Sequence, residues 1–233
     1  MHRVSDGAEW LTPVPLDANL PAISPDHQRL LWLQRSSVAV PGGTQPAVNV
    51  FVSTITGDNV QQIPVEAGTN AVWLDAERLL FSRSQNAMTT LEIGNVVTNE
   101  RFVLGTWYRL RGLSIAPGGE SIMFYLPNQP DPATSGVHVL TTQAGEQPVM
   151  LPWFGGWRWR DAHTVYYMPF EPQADSQRLV YYDVRDGTTF DLTDPTTEPF
   201  LTLNGDWRVS ADGRWIAFHS AADRNLWLIG LDA

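Results

Sequence analysis

Apolar positions along this chain either alternate with polar ones or run unbroken over short stretches, as in VNVFVSTI from Val48 and VYYM from Val165. Alternation marks strands with one buried face, and short unbroken runs mark strands buried on both faces. Gly, Pro, Asp and Asn interrupt these runs at close intervals, as turn residues do. No segment sustains apolar spacing near 3.6 residues with helix caps, so almost no helix is predicted. The pattern is that of an all-β fold.

The strands recur. AISPDHQRLLWL from Ala22, SIAPGGESIMFY from Ser114 and RVSADGRWIAFHS from Arg208 each read as a short strand, a Pro/Asp/Gly turn and an apolar strand. VWLDAERLLFS from Val72 and RWRDAHTVYYM from Arg158 are weaker copies. Aligning the apolar strands at Leu30, Leu79, Ile122, Val165 and Ile216 gives steps of 49, 43, 43 and 51 residues. That period fits the four-stranded blades of a propeller, about 40–50 residues each. The gap from Ile216 through the two termini to Leu30 is 47 residues, one more period.

The termini also read as two halves of one blade. LVYYDVRDGTTFDLT from Leu179 is a third strand, an Asp-Gly turn and a fourth strand. LWLIGLDA at the C-terminus resembles that third strand cut at its turn, and SDGAEWLTP near the N-terminus resembles the missing turn and fourth strand. The expectation is a single domain over residues 1–233: a five-bladed β-propeller of four-stranded antiparallel blades, the last closed by the N-terminal strand. Closure removes the sheet edge an open array would expose. A β-sandwich, or a six-bladed ring with one unrecognised copy, are the alternatives.

The repeats resemble the TolB-type propeller repeat, roughly S-P-D-G, I-A-F, then an I-W-V-type strand. The best matches are Ser210-Ala211-Asp212-Gly213 with Ile216-Ala217-Phe218 and Leu226-Trp227-Leu228-Ile229, and Ser24-Pro25-Asp26. The resemblance spans the chain as five copies, two of them weak. It implies a bacterial binding or interaction-scaffold domain, extracytoplasmic in placement. Such repeats also gate serine peptidases, but that role needs an attached hydrolase domain for which this chain has no residues. A sensor segment of a larger receptor is a further reading.

Propeller geometry assigns the tight turns (SPDH, APGG, SADG, RDG) to one face and the long second-to-third loops to the other. The long set is residues 34–47, 127–135 and 169–176. Long loops on a rigid frame carry binding residues. The links entering the innermost strands point to the channel mouth on that face, so Asn70, Trp107, Tyr108, Arg109, Trp157, Arg158, Trp207 and Arg208 form the candidate ligand site. Tryptophan offers stacking area, and arginine a planar fork for carboxylate or phosphate. A protein, peptide or glycan ligand is expected, as a sugar, an acidic peptide or a C-terminal carboxylate. The competing reading is packing, since tryptophans here fill gaps between blades and arginine stems cover apolar surface. Trp32, Trp215 and Trp227, in apolar strands, are expected in the core.

Composition narrows the chemistry. The 233 residues carry a net charge of −10, which argues against a nucleic-acid partner. All 15 basic residues are arginine, and there is no cysteine, so disulfides and thiolate metal sites are excluded. No apolar run suits a membrane span and no signal peptide is visible. There is no G-x-S-x-G elbow, no H-E-x-x-H and no calcium loop, so no catalytic residue, metal or cofactor is assigned. The enzymatic rival is a five-bladed glycosidase using carboxylates around the channel, drawn from Asp17, Glu66, Asp75, Asp161, Glu198 and Asp206. Of these, Asp75 and Asp161 belong to tight turns, and Asp206 near the mouth lacks an evident partner.

Overall fold

A computed structural model of the chain describes residues 14, 18, 21–40, 43–172, 174, 177–197 and 200–231. The expected closing strand within residues 1–12 lies outside them, as do Asp17 and Glu198. The described structure is all-β with one 3₁₀ turn at Pro132–Thr134. It forms two units, up to Arg109 and from Leu110 onward.

The first unit holds two antiparallel four-stranded sheets. One runs β1 (Ala22–Ile23), β2 (Arg29–Val40), β3 (Gly43–Thr54) and β4 (Gln61–Ile63). The next runs β5 (Thr69–Trp73), β6 (Arg78–Gln85), β7 (Met88–Asn95) and β8 (Arg101–Tyr108). A shared core of Leu31, Val50, Val52, Ile63, Ala71, Trp73, Leu79 and Phe81 lies between them.

The second unit holds three sheets. The first comprises β9 (Arg111–Ile115), β10 (Ser121–Leu126), β11 (Gly136–Thr141) and β12 (Val149–Met150). The second comprises β13 (Gly155–Trp159), β14 (Thr164–Pro169), β15 (Val180–Asp183) and β16 (Thr189–Asp191). The last has three strands among the described residues: β17 (Thr202–Val209), β18 (Trp215–Ser220) and β19 (Leu226–Gly230). Strand β14 shows why the apolar runs are unbroken. Tyr167 joins a cluster with Met123 and Val137 of the preceding sheet. Tyr166, on the opposite face, joins one with Trp207, Ile216 and Phe218 of the following sheet. A strand between two sheets has no solvent face to leave polar.

The repeat alignment has a physical counterpart. Leu30, Leu79, Ile122, Val165 and Ile216 are each 0% exposed. Fully burying such a side chain contributes about 1.5–3 kcal/mol, so these positions demand an apolar residue in every sheet. The turns before them are tied by one recurrent device. Ser24 and Ser210 donate to Asp26 and Asp212, and the backbone N–H of Gln28 and of Arg214 donate to the same carboxylates. The weaker copies keep the aspartate without the serine. Asp75 accepts from the N–H of Glu77 and Arg78 at 2.8 and 2.7 Å, and Asp161 from those of His163 and Thr164 at 2.9 Å each. The copy without aspartate uses Gly118 and Gly119, both at positive φ.

Two expectations are corrected. Residues 34–40 and 43–47, expected in a long irregular loop, are paired strand: β2 and β3 run in register from Arg29↔Thr54 out to Val40↔Gly43. β4 pairs with β3 only at Val50–Val52. Pro46 therefore lies on a two-stranded extension, where its missing N–H is tolerated. Trp215 and Trp227 are not core residues but 50% and 51% exposed. Trp215 opens β18, the middle strand of the last sheet, and Trp227 lies on its edge strand β19, where it donates its indole N–H to Asp223 at 3.0 Å. Trp32 is buried, as expected.

Candidate functional site

The innermost strands of the last two sheets carry the W-R pairs, and alternation decides what each residue does. On β13, Trp157 and Trp159 point to the preceding sheet, where both donate to Ser114 Oγ, at 2.9 and 3.2 Å. Arg158, between them, points the other way. Its guanidinium lies 5.1 Å from the Trp207 ring centroid. Its Nε donates to the Trp207 carbonyl at 3.3 Å and a terminal nitrogen to the Trp157 carbonyl at 2.7 Å. On β17, Trp207 is 1% exposed and packs edge-on against Phe200. Arg208 is exposed and donates to that same Trp207 carbonyl at 2.9 Å.

Two guanidinium groups therefore share one carbonyl oxygen. Among the described residues the carboxylate paired with them is Asp206, 4.0 Å from Arg208 and itself largely exposed. Arg158 makes no ion pair with any described residue. Burial lowers its pKa below the ordinary arginine value, repulsion from Arg208 adds to this, and Asp206 offsets part of it. A half-desolvated cation beside a second cation is an arrangement that an incoming anion relieves.

The other expected site residues are placed differently. Asn70 is exposed on β5. Trp107 and Tyr108 end β8, the outermost strand of its sheet rather than a link into an innermost one. The Trp107 ring lies against Gly105, and Arg109 stacks on Tyr108 at 5.0 Å with φ of 54°. Among the carboxylates weighed for glycoside chemistry, Asp75 and Asp161 tie turns and Asp206 sits beside Arg208. Glu66 pairs with Arg83 at 2.7 Å. His138 is buried, stacks on Phe124 and contacts the Gly136 carbonyl, and burial lowers its pKa. Among the described residues no three His, Asp or Glu side chains gather to hold a metal ion. No helix among them is long and apolar enough to cross a membrane.

No family model and no curated protein matches the chain. Solved structures do. TolB from Acinetobacter baumannii is 14% identical over 92% of this chain and 52% of its own, with a TM-score of 0.53. The β-propeller domain of the Trilobed protease from Pyrococcus furiosus is 8% identical over 93% of this chain and 68% of its own, with a TM-score of 0.59. An oligogalacturonate lyase in complex with manganese is 14% identical over 94% of this chain and 67% of its own, with a TM-score of 0.60. The chain thus spans about half the length of the TolB chain. The fold is a TolB-like β-propeller, and its five antiparallel sheets fit a five-bladed form.

Proposed function

We propose that the chain is a non-catalytic binding domain, one propeller over residues 1–233, that captures a carboxylate-bearing peptide or protein segment through Arg158 and Arg208. One observation carries this: two guanidinium groups meet on the Trp207 carbonyl, and among the described residues the one carboxylate ion-paired with them is Asp206, 4.0 Å from Arg208. Arginine's planar fork holds a carboxylate through two parallel hydrogen bonds, stronger than neutral ones. Trp157 and Trp207 serve the site as supports, since their rings pack into the sheets. The fifth blade is completed by the N-terminal strand beside β19, whose Leu226, Trp227 and Leu228 are exposed. The Pyrococcus propeller, by contrast, is described by an open velcro topology. As the repeat resemblance implies, the domain works outside the cytoplasm.

The test uses an oligoglutamate peptide, with oligoglutamine as its uncharged counterpart. Occupancy at about 100 times Kd adds about 2.7 kcal/mol of stability and raises Tm by roughly 5–10 °C. The shift is expected with oligoglutamate, to fade with added salt, and to vanish in the Arg158→Gln/Arg208→Gln double variant. Equal shifts with both peptides, or a shift that survives in the double variant, would overturn the assignment.

A further inference from the structure

The first unit carries a cleft of about 410 Å³, within the roughly 300–1,000 Å³ of small-molecule sites. Its floor follows from strand alternation. Phe81 and Arg83 are two apart on β6, and register sets them opposite Glu92 and Thr90 of β7, which puts all four on one face of the sheet. β8 adds Arg101 beside them, and the segment that leaves β4, Pro64 to Glu66, forms the wall.

The two arginines differ in how firmly they are held. Arg101 lies over the Phe81 ring at 4.4 Å, and its guanidinium donates to Glu92 and to the Pro64 carbonyl. It is a fixed partition, with a second cavity of about 110 Å³ on its other side. Arg83 pairs with Glu66, whose side chain is 72% exposed. An exposed pair of that kind is worth little in water and exchanges readily for another carboxylate. Glu92, with one oxygen taken by Arg101, keeps acceptor capacity for an ammonium group. Diagonal neighbours across paired strands, as Arg83 and Glu92 are, lie about 7–8 Å apart and within reach of long side chains.

The cleft's charges cancel, so a ligand of one net sign gains little, whereas one carrying both signs can satisfy both ends. Phe81 is buried beneath Arg101 and offers no free stacking face, which disfavours a sugar. We propose that this cleft binds a small zwitterion of the α-amino-acid type, free or as a short peptide. Its carboxylate lies on Arg83, in place of Glu66, and its ammonium on Glu92. The site is independent of the Arg158–Arg208 pair.

The experiment titrates the full-length ¹⁵N-labelled protein with L-alanine, dialanine, N-acetylalanine and alanine amide, following amide and arginine side-chain shifts. Saturable shifts centred on Arg83 and Thr90 are expected with alanine or dialanine, and their relative affinity separates a free amino acid from a peptide. Capping either end, or Arg83→Gln in a natively dispersed protein, is expected to weaken binding at least about tenfold. Glu66→Gln removes the competing carboxylate and is expected to tighten binding of N-acetylalanine. The Arg158→Gln/Arg208→Gln variant is expected to bind as the wild type does. No shift at the cleft, equal binding of capped compounds, or indifference to both cleft substitutions would overturn the proposal.

Discussion

Gly155 and Gly156 are adjacent in the run FGGWRWR, and the structure gives them opposite tolerances. A Cβ built on Gly155 falls 1.9 Å from the Met168 carbonyl oxygen and 2.8 Å from its carbon, whereas one on Gly156 meets nothing within 4 Å. The obstacle is backbone, because Gly155 pairs with Pro169 at the start of the β13–β14 ladder. Alanine at 155 must part the strands there by about an ångström, straining the adjoining Phe170 N–H to Phe154 carbonyl bond of 2.9 Å. A hydrogen bond or two at about 1 kcal/mol each, with overpacking strain of about 1–3 kcal/mol, gives a loss of roughly 2–5 kcal/mol. Alanine at 156 restricts the unfolded chain and stabilises by about 0.4–1 kcal/mol. In urea, with a slope of about 2–3 kcal/mol per molar, the midpoint should fall by roughly 1–2 M for Gly155→Ala and rise by a few tenths for Gly156→Ala. A Gly155→Ala midpoint within about 0.2 M of wild type would refute the reasoning.

Trp207→Ala empties a fully buried site and is expected to cost about 3–5 kcal/mol, whereas Trp227→Ala, on a half-exposed ring, should cost under about 1 kcal/mol. Equal losses in urea unfolding would show that the last sheet packs otherwise. Asp183 has its pKa lowered chiefly by the hydrogen bond from the Arg185 side chain, joined by its backbone N–H and charge and opposed by burial. A lowered carboxylate pKa adds stability that is complete above the unfolded value of 3.8 and lost as pH falls through the folded one. Asp183→Asn should therefore flatten the drop in Tm below that pH, and an acid limb parallel to wild type would contradict it. Deleting residues 1–12 should expose the edge of β19 and lower Tm markedly, while an unchanged Tm would sink the proposed closure.

Much of the frame was legible because each sheet solves one packing problem with one residue type. The five aligned strand positions could be found by apolarity alone, and all five are 0% exposed. The turn aspartates were legible for the same reason: Asp75 and Asp161 cap backbone N–H groups even where the surrounding motif has decayed. Less legible was anything that depends on where a strand ends. Residues 34–47 carry Pro and paired Gly, yet backbone pairing continues to Val40↔Gly43. Trp215 and Trp227 sit in apolar strands, but apolarity does not say whether a neighbouring strand covers them. The cleft was missed for want of register. Phe81-x-Arg83 and Thr90-x-Glu92 each show the period of one face, but only the pairing of Phe81 with Glu92 sets the two faces together.

The W-R dipeptides show how one local pattern yields both packing and a site. Strand pairing sets Ser114, Arg158 and Arg208 at equivalent places on three successive innermost strands, opposite Met123, Tyr166 and Ala217. At the first of them a serine is enough: its hydroxyl accepts from Trp157 and Trp159, and the sheet packs. The frame thus has no need of a cation there. At the other two the chain places guanidinium groups, one of them pushed below its ordinary pKa by burial and by its neighbour. Such a group stabilises the fold less than an apolar or small polar residue could. That cost supports the proposed capture of a carboxylate, to which two guanidinium forks on one carbonyl are suited.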